Sequence, residues 1–129
     1  MSKSVLIVDD SFVIRKGLRT ILANDTEVTV CGEATNGMEA IERARELNPD
    51  VIVLDVSMPV LNGLQAAPVL HKMLPKTAII LFTSYGNVVN EQENHMAGVD
   101  AVVSKDEGAT SLLEKIHSAY PHGHSPTVN

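Results

Sequence analysis

Short apolar runs at 4–8, 28–33, 51–54, 78–82 and 101–103 alternate with longer segments whose apolar residues recur at helical spacing. This alternation limits the fold more than any other feature. A strand with one wet face would alternate apolar and polar residues. The first, third and fourth runs are continuously apolar or nearly so, which predicts strands covered on both faces of a parallel sheet. Five such strands interleaved with five helices predict an α/β, (βα)5 architecture with right-handed crossovers and helices on both faces.

The helical segments carry apolar stripes: Phe12, Leu18, Ile21 and Leu22 in the first, Met38, Ile41, Ala44 and Leu47 in the second, Leu112, Leu113, Ile116 and Ala119 in the last. Ser11 and Asn36 read as N-caps, and Pro49 and Pro75 sit just past the ends of the second and third helices. Pro68 lacks an amide donor, so the third helix is expected to start late or kink there. The fourth segment, 86–96, is rich in Asn, Gln and Glu with few apolar anchors, and is expected to pack weakly.

At 129 residues the chain suits one domain, read as 1–120, followed by a polar, Pro- and Gly-containing tail at 121–129. Sixteen acidic against ten basic residues give a net charge of −6, which argues against direct nucleic-acid binding. One cysteine excludes an internal disulfide, and Cys31 reads as a small buried apolar residue. The opening residues do not form a basic-then-apolar leader, and no apolar run approaches ~18 residues, so a cytoplasmic domain without membrane attachment is expected.

In parallel α/β sheets, ligands bind beyond the carboxyl ends of the strands. Asp9 and Asp10 follow the first strand, Asp55 the third, Thr83 and Ser84 the fourth, Ser104 and Lys105 the fifth. Singly, these residues are ordinary caps and loop residues. Together they deliver three carboxylates, a hydroxyl and an ammonium to one edge. If the first and third strands are neighbours, the carboxylates repel unless a cation offsets them, and oxygen-only ligation suits Mg²⁺. A carboxylate beside Mg²⁺ can act as a nucleophile toward phosphorus, with ammonium and hydroxyl groups holding the peripheral oxygens.

The segments "VLIVDDSFVIRKGL", "DVIVLDVSMPVLNG", "AIILFTS" and "AVVSK" resemble the successive signatures of the response-regulator receiver domain, CheY-like, over roughly residues 4–120. The resemblance implies a flavodoxin-like sheet of order 2-1-3-4-5. It implies that Asp55 is the phosphoacceptor and that Asp9, Asp10, Asp55 and the main-chain carbonyl of Ser57 hold Mg²⁺, with Mn²⁺ as a substitute. Thr83, Ser84 and Lys105 would contact the phosphoryl group and switch, while Ser57 and Tyr85 occupy places that tune its lifetime. The donor would be a histidine kinase or phosphotransfer protein of a two-component phosphorelay. Output to a target or a second copy would pass through the face of helix four, strand five and helix five. The domain would be a signalling module, with only slow self-phosphorylation and self-dephosphorylation. The stretch "VCGEATNGMEAIERARELNPDVIVLD" is most similar to receivers of the NarL/FixJ type, so an alternative is the front of a longer DNA-binding transcriptional regulator.

Three departures stand out. Asp106 replaces the family's Pro after the lysine, so a trans Lys105–Asp106 peptide and a shifted loop are expected, because a cis bond there would cost ~3–4 kcal/mol. Asp106 and Glu107 are expected to compete for the Lys105 ammonium. Val102 replaces an aromatic, which removes a ring-rotation switch, and Pro68 interrupts the third helix. Readings of other classes fare less well. A phosphohydrolase needs a second carboxylate two residues after Asp55, where Ser57 stands; a flavin protein needs a phosphate-binding loop and more aromatics than this chain has. The histidines 71, 95 and 117 read as solvated, and His122 and His124 as a poor metal site.

Overall fold

The computed structural model describes residues 2–84 and 98–119. They form β1 (Lys3–Val8), α1 (Phe12–Ala23), β2 (Val28–Ala34), α2 (Gly37–Leu47), β3 (Val51–Leu54), α3 (Gly63–Met73), β4 (Ala78–Thr83), β5 (Ala101–Ser104), a 3₁₀ turn (Lys105–Glu107) and α4 (Gly108–Ser118). The expectations for 86–96, 121–129, Tyr85, His95, His122 and His124 lie outside the described residues, so α4 is the helix that follows β5. All strand pairings are parallel, in the order β2-β1-β3-β4-β5. Each strand boundary lies within a residue of its sequence-based expectation.

The continuous apolar runs are explained by two core layers. Val5, Ile7, Val51, Val53, Ile80 and Phe82 face one side, where Leu18 and Leu22 of α1 and Leu112 and Ile116 of α4 cover them. Leu6, Val8, Ile52, Leu54, Ile79 and Leu81 face the other, beneath Ala40 and Ala44 of α2 and Ala66, Ala67 and Leu70 of α3. Alternate residues of one strand thus enter opposite layers, and both layers are dry.

Some helix details differ from expectation. Phe12, Ile21 and Met38 are 66%, 39% and 50% exposed. Phe12 and Met38 open their helices beyond the strand ends, where no sheet lies beneath them, and the Phe12 ring meets the Arg15 guanidinium 5.9 Å from its centroid. α3 begins at Gly63, well before Pro68, under a capping box between Asn62 and Gln65. Pro68 is exposed, and its missing amide would have met the carbonyl of Leu64, itself on the exposed face, so the lost bond falls on the solvent side while buried Ala66, Ala67 and Leu70 hold the helix. A bulge between Val5 and Leu6 lets Cys31 slip past the register, where it is half-buried and burial pushes its thiol pKa up.

At the amino-terminal edge of the sheet, Lys3 donates to the carbonyls of Ile116, His117 and Ala119, capping α4. His117 is paired rather than simply solvated: its Nε2 lies 2.7 Å from Asp25 Oδ2 and its Nδ1 3.4 Å from Glu27 Oε1. The His71 ring packs against Gly98, whose φ of 81° suits glycine.

Candidate functional site

The register of β1 and β3 pairs Val8 with Leu54, so Asp9 and Asp55 are the next residues along neighbouring strands. The ladder continues through them: Asp55 N donates to Val8 O at 3.0 Å and Asp9 N to Ala34 O at 3.1 Å. Both side chains therefore emerge at the carboxyl edge, one strand spacing apart. Asp10 follows in the turn into α1. One ligand oxygen from each of Asp9, Asp10 and Asp55 can be chosen so that all lie within 4.8 Å of one another.

Burial divides the three. Asp9 and Asp55 are 2% and 4% exposed, whereas Asp10 is open to solvent. Lys105, carried just past the end of β5, reaches between the buried pair: its Nζ lies 2.8 Å from Asp9 Oδ2 and 3.4 Å from Asp55 Oδ2. Burial works against the ammonium, but the two carboxylates outweigh it and hold the Lys105 pKa above its usual value. Burial, then the charge of Asp9, push the Asp55 carboxyl above the ordinary carboxylate range despite opposing pulls from Lys105 and the Ser57 amide. Thr83 is fully buried at the end of β4, opposite Ser104 in the β4–β5 register, while Ser84 beside it is exposed.

Local sequence accounts for these positions. Ser11 caps α1, accepting from Ile14 N, and its own amide donates to Asp9 Oδ1 at 2.9 Å. Gly63 must be glycine, because a Cβ there would lie 2.1 Å from the carbonyl oxygen of Asp55. That close approach explains the glycine eight residues after Asp55 and seats α3 against the end of β3. Between them Val60 adopts φ 70°, an uncommon conformation for a β-branched residue, while 77% exposed.

The expected competition from Asp106 and Glu107 is not what the structure has. Ser104 Oγ accepts from Asp106 N, and Glu107 Oε1 accepts from Ser104 N at 3.1 Å, so the two residues form and cap the 3₁₀ turn. The Lys105 ammonium points instead into the acidic pocket. There are no cis peptides among the described residues, in agreement with the expected trans Lys105–Asp106 link. Val102 is half-buried against the α2–α3 core layer. Sequence reasoning missed Arg15 and Glu33, which pair at 3.0 Å behind Asp9; a lone Glu near the end of an otherwise uncharged strand was the available signal.

A doubly wound parallel sheet with a half-buried lysine set among carboxylates at its carboxyl edge defines a class of acidic-pocket α/β domains. Comparison with known proteins narrows it: the chain belongs to the response regulator receiver domain family, whose model matches residues 5–117. The chain is 44% identical over 118 residues to protein-glutamate methylesterase/protein-glutamine glutaminase 2 of Carboxydothermus hydrogenoformans, covering 89% of this chain and 33% of that protein. It is 34% identical over 123 residues to the response regulator protein VraR of Staphylococcus saprophyticus, covering 93% of this chain and 57% of that protein. The crystal structure of the response regulator domain of Thermotoga maritima CheB superposes with a TM-score of 0.85 at 35% identity, covering 92% of this chain and 96% of that one. The chain thus spans about a third to somewhat over half of these curated relatives. It is a receiver domain of two-component signalling, and no helix among its described residues is long and apolar enough to cross a membrane.

Proposed function

We propose that this domain is a Mg²⁺-dependent phospho-receiver switch with Asp55 as its acceptor. The observation that carries the reading is the cluster of Asp9, Asp10 and Asp55 with Lys105 bonded to the two buried members. An all-oxygen donor set of this charge fits a hard divalent cation. Asp9, Asp10, Asp55 and the Ser57 carbonyl would hold it, with Mn²⁺ as a substitute. When bound, Mg²⁺ supplies the positive charge that offsets the repulsion of the carboxylates and of the incoming phosphoryl oxygens.

An Asp55 oxygen forms the bond to phosphorus as the phosphorus–nitrogen bond of a phosphohistidine breaks, and the imidazole departs with the electron pair. Burial and the neighbouring Asp9 make Asp55 more basic than a free carboxylate, which favours it as nucleophile. Lys105 already lies beside Asp55 and moves to a phosphoryl oxygen as a point charge. The Thr83 hydroxyl, with Ser84 beside it, takes a second oxygen, and Ser57 and Tyr85 govern access of hydrolytic water. The phosphoryl donor is a histidine kinase or phosphotransfer protein. Chemistry of the domain itself is limited to slow self-phosphorylation and hydrolysis.

Acetyl phosphate with Mg²⁺ tests the assignment by intact-mass spectrometry. Wild type should gain one phosphoryl group, none should appear without a divalent cation, and Asp55→Asn should gain none. Wild-type labelling of Asp55→Asn would refute the acceptor. Output is proposed to leave through β5, α4 and the 86–96 segment, because Thr83 and Lys105 lead there. Amide exchange should change most on phosphorylation at 83–96 and 105–110; changes restricted to α1 and α2 would contradict that route.

A further inference from the structure

Behind the acidic pocket lies a second layer of charge that the phosphoryl chemistry does not use. Arg15, on the first turn of α1, has a side chain only 13% exposed. Its Nε donates to Glu33 Oε1 at 3.0 Å, while Nη1 donates to the main-chain carbonyl of Asp9 at 2.8 Å. Glu33 stands near the end of β2, and its second oxygen receives Arg19 Nε at 2.6 Å from one turn further along α1. Burial raises the Glu33 carboxyl, but the two guanidiniums outweigh it and keep it below the usual range, so it is a fixed anion.

We infer that Arg15, braced by Glu33, is a positioning residue for the cation site: it sets the orientation of the Asp9–Asp10 peptide. The inference rests on the proposed function and deepens it. All four polar atoms of Asp9 have assigned partners: N to Ala34 O, O to Arg15, Oδ1 to Ser11 N and Oδ2 to Lys105. The Arg15 bond is the one made to the peptide that joins Asp9 to Asp10. A peptide unit is planar, so holding the Asp9 carbonyl also holds the Asp10 amide and Cα on the same plane. Asp10 is the exposed carboxylate of the three, and the peptide plane behind it decides where its side chain starts.

A guanidinium can make this bridge because its Nε and Nη1 donors diverge rigidly within one plane. An ammonium at the same position is a single point that can serve Glu33 or the Asp9 carbonyl with good geometry, but not both. Arg15→Lys therefore preserves charge and approximate length while removing the bridge. Glu33→Gln keeps an acceptor for Arg15 and removes the charge that braces it.

The test is Mg²⁺ titration calorimetry on the full chain without phosphodonor, with thermal unfolding of each variant and the Mg²⁺ dependence of acetyl-phosphate labelling. Asp10→Asn serves as the reference for a lost cation ligand. Loss of partners behind metal ligands commonly lowers affinity 10–100-fold, so Arg15→Lys should raise the Mg²⁺ Kd about tenfold and Glu33→Gln about threefold. Labelling by Arg15→Lys should recover toward the wild-type rate at saturating Mg²⁺, a split that simple loss of helix bracing does not produce. A Kd for folded Arg15→Lys within about twofold of wild type would overturn the inference and leave Arg15 as a brace between α1 and β2. If Arg15→Lys does not fold, Glu33→Gln decides by the same criterion: a raised Kd supports the inference and an unchanged one overturns it. If wild type itself shows no Mg²⁺ binding, or Asp10→Asn binds as wild type does, the reading of the cation site fails and this inference with it. Wild-type binding that Arg15→Lys leaves unchanged removes the inference alone.

Discussion

Replacing Lys105 by Met removes one positive charge from between two buried carboxylates and tests the electrostatics of the pocket directly. At 2.8 and 3.4 Å the two attractions amount to about 6 and 5 kcal/mol with an effective dielectric of ~20. Desolvation of the ammonium offsets much of this. Removing one partner of a buried pair costs ~3–5 kcal/mol, and because the Lys105 side chain is 19% exposed we expect the lower end, about 3 kcal/mol at pH 7. For a chain of this size that corresponds to a Tm lower by roughly 10 °C. The pH dependence has a definite sign. Asp55 already holds its proton more tightly folded than an unfolded aspartate does, and without Lys105 it holds it more tightly still. A carboxyl whose folded pKa is raised takes up a proton on folding, so it costs stability as pH rises from the unfolded value near ~3.9 through the folded one. The deficit of Lys105→Met should therefore be fully developed at pH 7–8 and shrink as pH falls toward 5. At a fixed Mg²⁺ concentration the deficit should also narrow, since the variant has no ammonium competing for Asp9 and Asp55 and binds the cation more tightly, and each tenfold gain in affinity adds about 1.4 kcal/mol to its folded state. Thermal unfolding followed by circular dichroism from pH 5 to 8, with and without Mg²⁺, supplies the measurement. A Tm equal to wild type at pH 7, or a deficit constant across that range, would refute the charge balance described here.

Asp10→Asn should abolish stabilisation by added Mg²⁺, because one of the three carboxylates that can converge on a cation is lost; a Tm that still rises with Mg²⁺ as in wild type would contradict this. Val60→Gly should gain about 1 kcal/mol, since relief of a positive-φ β-branched residue outweighs the added freedom of glycine in the unfolded chain. Val60 is 77% exposed, so little apolar burial is lost, and a lowered urea midpoint would argue against strain at that position.

At the loop after β5 the structure departs from what the sequence suggests. Asp106 illustrates the point. Its side chain was expected to draw on the Lys105 ammonium, yet the backbone of the same residue stabilises the 3₁₀ turn by donating to Ser104 Oγ. The acidic side chain engaged in the turn is that of Glu107, whose Oε1 accepts from Ser104 N at 3.1 Å, a capping bond that spans three residues and orders little chain. Lys105 is thereby left to two carboxylates that no local sequence rule brings near it.

The periodicity of the apolar residues determined the strands and the two-sided burial of the sheet, and caps and prolines determined the start of α1, both ends of α2 and the end of α3, because those depend on near neighbours along the chain and on which residues avoid water. Asp9, Asp10, Asp55, Thr83 and Lys105 were likewise legible, since a strand's carboxyl end fixes which side chain comes next. Other features depended on contacts between distant segments. That Phe12 and Met38 stand exposed follows from where α1 and α2 overrun the sheet. That Gly63 must be glycine follows from its approach to the Asp55 carbonyl. The Arg15–Glu33 bridge behind Asp9 spans 18 residues of sequence, and it exists only because parallel pairing places β2 beside β1. A register one residue away would have turned Glu33 to the opposite face of the sheet, and no property of either residue alone excludes that.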